Sequence, residues 1–474
     1  MLRALLLGLG AAGWGAADLA TTTVFTHGER ADCTCIRGPT LILAGDTLVA
    51  FAGCVPAAGD NCQPLRPAKP PPGAVHRQVY KRSTSGGSTW GPLTDAPELG
   101  GSPVALSNGS LLLFTGTGGI YRSDNGAASW VPSGNHSGGA GGGIIQLSAT
   151  HPSHPNRLLS VRKGPGAVGE KAALTSYSDS DGRAWTASTT QQARMDESEL
   201  VELGDGAVAM MSRNWLNCSS IPADAPCREH QDGPCMCTAV ATSVDGVATF
   251  TSPSEPAPSL AGANCHSSSL TLDNVTYLAA PMYTGPPRLP NQPHKPCGYD
   301  PVSKRTGHCY TDRAPNRIKG RVMVASASSA AGVRDWSVHA RVTAGGPCST
   351  EAECAESAGF GYSSMSALPD KLWPRHFALA YETTSPDCGY DPQQNTATGM
   401  GSATSACKIV MAVVPRKTDD PAGQVADAAL HARLAKLTGR AHVFDVRRFG
   451  AKGDGATKDT AVRVCPSPKS SKSR

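Results

Sequence analysis

The chain has 474 residues, room for one large β domain with extras or for about two to three ordinary domains. Its 52 glycines and 37 prolines are too many for a helix-rich protein and too few for a low-complexity one, so a turn-rich, all-β protein fits. A net charge of +5 gives no argument for nucleic-acid binding, and no apolar run is long enough to span a membrane.

The first residues, "MLRALLLGLGAAGWGAADLA", place one Arg before an apolar run that ends in small residues. That order predicts a secretory signal peptide over 1–20, cut between Ala17 and Ala20, and a secreted or lumenal destination, lysosome or vacuole included. Export makes sense of the 16 cysteines, which should pair in an oxidising compartment. Cys33/Cys35 and Cys235/Cys237 have C-x-C spacing, but the other cysteines lack zinc-site spacing, so disulfides are the expectation and no metal is. Four N-x-S/T sequons, at Asn108, Asn135, Asn217 and Asn274, suit an exported glycoprotein.

From there to about residue 415 the chain alternates strand-length apolar runs with turn signals. "TLILAGDTLVAFAG", "GSLLLFTGTGGIYRS", "GGIIQLSAT", "LVELGDGAVAMMS", "HSSSLTLDNVTYLAAPM", "GRVMVASAS", "FALAYE" and "KIVMAVVP" are the clearest, and helical periodicity is almost absent. An octet recurs between the runs: "STSGGSTW" (Ser83–Trp90), "SDNGAASW" (Ser123–Trp130), "SDSDGRAW" (Ser178–Trp185) and "SVDGVATF" (Ser243–Phe250), with a looser "SSAAGVRDW" at Ser328–Trp336. Each reads as a tight turn after a strand. An acidic or amide side chain bonds backbone N–H groups, Gly supplies the left-handed residue, and the closing aromatic tucks into the base of the next strand. One hairpin turn repeated at one place in successive four-stranded sheets predicts a six-bladed β-propeller over 21–415.

Three cysteine-bearing stretches, Asp60–Gln78, Asn217–Cys237 and Cys297–Cys309, read as surface insertions. Residues 416–474 change character. A short amphipathic helix or helical linker is expected first, then Val443–Ala461 ("VFDVRRFGAKGDGATKDTA"), then a basic, Ser-rich end expected to be disordered. Val443–Ala461 resembles the opening of pectin-degrading parallel β-helix enzymes such as polygalacturonases, with the rest of that domain missing.

The octets resemble the Asp boxes of sialidases, and between them segments similar to that family follow in family order over about residues 25–415. A sialic acid carries a carboxylate on its anomeric carbon, which planar guanidinium forks hold better than ammonium groups do. The resemblance implies three such arginines. "CIRGPTLILAGDTLVAFAG" points to Arg37, with Gly38 and Cys35 standing at packing positions where the family has Ile and an aromatic. "ESELVELGDGAVAMMSRN" points to Arg213, and "NRIKGRVMVASAS" to Arg321, with Arg317 as the alternative.

The resemblance also implies a Tyr nucleophile, since an anionic one would be repelled by the substrate carboxylate; "GYSSMSALPDKLWPRHFALAYE" points to Tyr362. Its base is implied in "DESELVEL", where Glu197 fits and Glu199, two residues on, shares its strand face. Asp60, between Cys54 and Cys62, is the acid/base candidate, a carboxylate in the loop after the first hairpin that protonates the leaving group and then activates water. The 13 His show no metal-site pattern, and no phosphate loop is present, so no cofactor is expected.

The reading is a retaining exo-α-sialidase acting on terminal sialic acids of glycoproteins, gangliosides or oligosaccharides. A glycosidase of a related 2-keto acid sugar, or a lectin-like propeller that binds without cleaving, stays open beside it. Oligomeric state is not legible in the sequence.

Overall fold

Six antiparallel blades follow in chain order, and a separate two-stranded sheet pairs Tyr299–Asp300 with Arg305–Thr306. The computed structural model describes residues 19–33, 35–55, 75–165, 171–214, 237–250, 254–261, 265–281, 299–300, 305–306, 320–342, 360–383 and 408–417. Residues 1–18, most of the expected signal peptide, and Asp60, Asn217, Cys235, Arg317 and everything after residue 417 lie outside the described residues. The chain divides into two units at Asp419/Asp420, and every described residue belongs to the first.

Blade I is Cys35–Ala44, Thr47–Val55, Arg77–Ser83 and Thr94–Asp95. Blade II is Gly101–Ala105, Leu111–Thr115, Gly119–Ser123 and Val131–Asn135. Blade III is Gly143–Gln146, Leu158–Pro165, Lys171–Ser178 and Thr186–Ala187, with Gln192–Ala193 also on the third strand. Blade IV is Met195–Glu202, Val208–Asn214, Cys237–Ser243 and Glu255–Ala261, and blade V is Ser268–Leu272, Val275–Pro281, Gly320–Ala325 and Trp336–Arg341. Blade VI is Ser363–Ala367, His376–Thr383 and Lys408–Pro415, completed on its outer edge by the N-terminal strand Thr21–Thr26. The first strands touch one another in sequence and the sixth touches the first, so the sheets close into the expected six-bladed β-propeller. Only short 3₁₀ turns, Pro97–Leu99 and Gly332–Arg334, interrupt the β structure among the described residues.

Each blade is covered on both faces, which is why its middle strands read as continuous apolar runs. In Thr47–Val55, Leu48, Ala50, Ala52 and Cys54 pack toward blade VI, while Val49 and Phe51 pack toward blade II. In Val208–Asn214, Met210 packs toward blade III and Met211 toward blade V. The two-residue period thus feeds two different cores from one strand, and the six hydrophobic clusters each fill one gap between neighbouring blades.

The octets form one repeated turn, with two differences from the expected chemistry. The leading Ser is the main acceptor: Ser83, Ser123, Ser178 and Ser243 Oγ accept the N–H of Gly87, Ala127, Gly182 and Val247 at 2.8, 2.9, 3.0 and 3.0 Å. The residue two positions on caps a second N–H, and in two of the four turns it is a serine, Ser85 or Ser180, rather than an acid or amide. A hydroxyl is long enough here because the turn brings that N–H within 2.9 Å in both cases. The closing aromatic turns back to the preceding blade. Trp130 lies against Tyr80 and Phe51 of blade I, and Trp185 against Phe114 of blade II at 5.7 Å. The gap between blades is apolar and the base of the next strand is exposed, so the ring gains more by filling the gap. Gly182 shows why a residue without Cβ is needed: φ is +81°, and a Cβ would meet the Phe114 ring at 2.2 Å.

The exposed Asn108, Asn135 and Asn274 sit on turns or strand ends. A disulfide joins Cys33 to Cys54, and Cys35 and Cys237 are also disulfide-bonded. Among the described residues no helix is long and apolar enough to cross a membrane.

The capping serines should carry stability that their neighbours do not. Ser83→Ala strands two turn N–H groups and should lower the unfolding free energy by about 1–2 kcal/mol, whereas Thr84→Ala, exposed one position on, should stay within about 0.5 kcal/mol of wild type. Urea denaturation of the two variants side by side checks this, and equal midpoints would contradict the capping role.

Candidate functional site

Five of the sequence-predicted residues gather on one end of the ring. Arg37 and Glu197 lie near the start of the first strands of blades I and IV, and Tyr362 immediately precedes the first strand of blade VI. Arg213 comes near the end of the second strand of blade IV and Arg321 near the start of the third strand of blade V, which antiparallel pairing brings to the same end. Two of these positions are β-bulges. The ladder of blade I slips between Arg37 and Thr40, and that of blade IV between Met195 and Ser198. A bulge re-aims a side chain out of the strict in–out alternation of a strand.

Tyr362 donates its phenol hydrogen to Glu197 Oε1 at 2.6 Å, and Arg213 Nη1 donates to Glu197 Oε2 at 3.0 Å. The Arg37 guanidinium lies 5.0 Å from the centre of the Tyr362 ring. Four of the predicted residues are therefore in one contact network. Arg321 is on the same end, 4% exposed, and bonds the carbonyl of its neighbour Gly320 at 3.0 Å. Burial, followed by the charge of Arg341, lowers its pKa, so an anion bound beside it would be stabilising. Asp60 and Arg317 lie outside the described residues.

Burial raises the Glu197 carboxyl, but the Arg213 charge and the hydrogen bonds from Tyr362 and Arg213 outweigh it, and the net shift is downward. Glu197 is thus a carboxylate at neutral pH, placed to receive a proton from the phenol. Beside it Asp196, 1% exposed, takes Lys163 on one oxygen and Lys171 on the other, each at 2.6 Å. Burial opposes that carboxylate too, and the two lysines more than offset it.

Glu382 is a site residue that the sequence reading used only as strand context. It is 2% exposed, forms an ion pair with Arg37 at 3.3 Å, and accepts the N–H of Gly38 at 2.8 Å and the N–H of Tyr362 at 3.3 Å. Its signal in the sequence is a carboxylate near the end of "HFALAYET", a strand buried at every position. Gly38 also changes meaning. It is no packing position, since it sits in the bulge at φ +63° and offers its N–H to Glu382.

Glu199 accepts the N–H of Ser269 at 2.9 Å, with His266 Nε2 3.6 Å away. These two line one end of an axial cavity of about 790 Å³ that reaches Asp205, Gly206 and Asn274 at the other. The cavity lies beneath the Tyr362–Glu197 pair, and its lining does not include those two residues. Among the described residues no group of three His, Cys, Asp or Glu is placed to hold a metal ion.

No family model matches the chain, and no curated protein matches it. Among solved structures it is similar to a Dyadobacter fermentans protein of unknown function, at 14% identity over 84% of this chain and 99% of that one, TM-score 0.49. It is similar to a Hadza microbial sialidase at 12% identity over 81% of this chain and 66% of that one, TM-score 0.49. It is similar to Trypanosoma rangeli sialidase at 13% identity over 80% of this chain, TM-score 0.46, and spans only 54% of that protein.

The Glu197 shift has a test that needs no substrate. Arg213→Met removes the neighbouring charge, so Glu197 should take up its proton at a higher pH than in wild type. Carboxyl ¹³C titration by NMR reads this, with the Glu197 signal identified by its loss in Glu197→Gln, and an unmoved titration would contradict the assignment. The linkage sign follows: a depressed carboxyl stabilises the fold above its unfolded-state pKa, and that contribution is lost as pH falls through the folded one.

Proposed function

We propose that the protein is a retaining exo-α-sialidase, secreted or lumenal, that removes terminal sialic acids from glycoconjugates. The observation that carries the reading is the 2.6 Å bond from Tyr362 to a Glu197 that is held ionised, in a setting of arginines. A phenol is a poor nucleophile until its proton has somewhere to go, and a carboxylate at hydrogen-bond distance supplies that place. A neutral attacking group makes sense beside arginines only if the substrate itself brings the anion.

In this account Arg37, Arg213 and Arg321 receive the sugar carboxylate. Tyr362 Oη attacks the anomeric carbon as its proton passes to Glu197 Oε1, and the bond to the leaving oxygen breaks. Asp60 protonates that oxygen, then takes a proton from the water that attacks the same carbon. The Tyr362–carbon bond breaks as Glu197 returns the proton to the phenolate. Two displacements at one centre retain configuration.

Hydrolysis of a 4-methylumbelliferyl α-sialoside tests the reading. Wild type should turn it over, Tyr362→Phe should retain less than about one-thousandth of kcat, and Glu197→Gln should lose about 10²–10⁴-fold. A folded wild type that releases nothing contradicts the sialidase reading. Turnover of 2-keto-3-deoxy sugar acid glycosides would then favour the related sugar, and binding of sialosides without turnover a lectin.

A further inference from the structure

His266 precedes the first strand of blade V in a Ser-rich run, "NCHSSSL", and no step above uses it. Its ring stands edge-on to the Tyr362 ring, centroids 5.9 Å apart and planes at 86°. Its Nε2 lies 3.6 Å from Glu199 Oε1, and the other oxygen of Glu199 accepts the Ser269 N–H at 2.9 Å. The imidazole is therefore placed between a carboxylate tied to the blade V backbone and the flank of the phenol that bonds Glu197.

We propose that His266 is a positioning residue for the Tyr362–Glu197 pair, held in place by Glu199. The proposal rests on the reading of that pair as the reacting groups. Two effects follow from the geometry. The ring edge supports the phenol plane, so Oη stays on Glu197 Oε1 rather than swinging about χ1 and χ2. The imidazolium charge, when present, favours the ionised form of the carboxylates on either side of it.

Glu199 is the group that makes this necessary. Its side chain is 22% exposed, but to the axial cavity rather than to the open end of the site. Burial pushes its carboxyl up, and the His266 charge is the main opposing influence, ahead of the Ser269 N–H. The two groups thus interact through charge as well as through position.

Of the other charged groups beside the Tyr362–Glu197 pair, Glu382 of blade VI accepts the Tyr362 N–H at 3.3 Å, and three more come from blades I, III and IV. Arg213 is on the adjacent strand of blade IV, Arg37 lies over the phenol from blade I, and Lys163 acts on Glu197 from blade III. All three are cations that keep their charge across the titration range of a carboxyl or an imidazole. His266 adds its pull on Glu197 from blade V, so a substitution that removes the imidazole isolates that contribution.

The test pairs a titration with turnover. Glu197 is followed by carboxyl ¹³C NMR in wild type, His266→Gln and His266→Phe, its signal again identified with Glu197→Gln. Both variants remove the charge, so Glu197 should titrate at higher pH in both; an unchanged titration in both overturns the electrostatic half of the proposal. The Glu199 carboxyl, its signal identified with Glu199→Gln, should likewise titrate at higher pH in both variants than in wild type; no movement overturns the Glu199–His266 pairing.

With the fluorogenic sialoside, His266→Gln should lose about tenfold in kcat with KM little changed, and the acidic limb of its pH profile should move up. His266→Phe restores an edge-on ring and should recover most of kcat while keeping the shifted limb. Wild-type kcat and profile in both variants overturn the positioning role. Should wild type hydrolyse no sialoside, the functional reading fails, and the two titrations still decide the pairing.

Discussion

Glu382 carries a negative charge at 2% exposure, and the candidate site hangs on how that charge is met. Arg37 faces it from blade I, and the N–H groups of Gly38 and Tyr362 point at its oxygens. The contact joins residues 345 apart in the chain, at the seam where the last blade meets the first. Removing one partner of a buried pair leaves the other uncompensated, at a cost of about 3–5 kcal/mol. One carboxylate therefore fixes the first arginine, the backbone just ahead of the tyrosine and the seam between blades VI and I together.

The same seam is closed by the N-terminal strand Thr21–Thr26, which pairs with Lys408–Pro415 on the outer edge of blade VI. Side-chain packing between the two blades fills the gap with Phe25, Leu48, Ala378 and Met411, among others. Ring closure and one half of the site thus share a seam. The opposite half of the site is built within blade IV, where a bulge places Glu197 and the next strand supplies Arg213. Tyr362 is where the halves meet, with its backbone N–H on Glu382 and its hydroxyl on Glu197.

Much of this was legible in the sequence because it is local. The strands announce themselves as runs of strand length, and alternate residues of a run such as "TLVAFAGCV" divide between two cores. The octets gave the repeat, although their chemistry is serine-led: Ser83 and Ser178 do the capping, and Asp179 instead pairs with Arg157 at 2.8 Å. Arg37, Glu197, Arg213 and Tyr362 each stood out beside a short recognisable run. Glu382 and His266 did not, for a physical reason. Their partners, Arg37 for one and Glu199 and Tyr362 for the other, lie on different blades, and no local pattern encodes which blades adjoin. Gly38 was misread for the same reason, since its N–H has a purpose only once Glu382 is beside it.

The central claim is that Tyr362 forms a bond to the sugar. The direct measurement is mass analysis after incubation with a 2,3-difluorosialic acid, whose fluoride leaves from the anomeric carbon as the nucleophile attaches. The account predicts one covalent adduct, mapped to the peptide that contains Tyr362 and absent in Tyr362→Phe. An adduct on a carboxylate side chain, or none in an enzyme that hydrolyses sialosides, would contradict it.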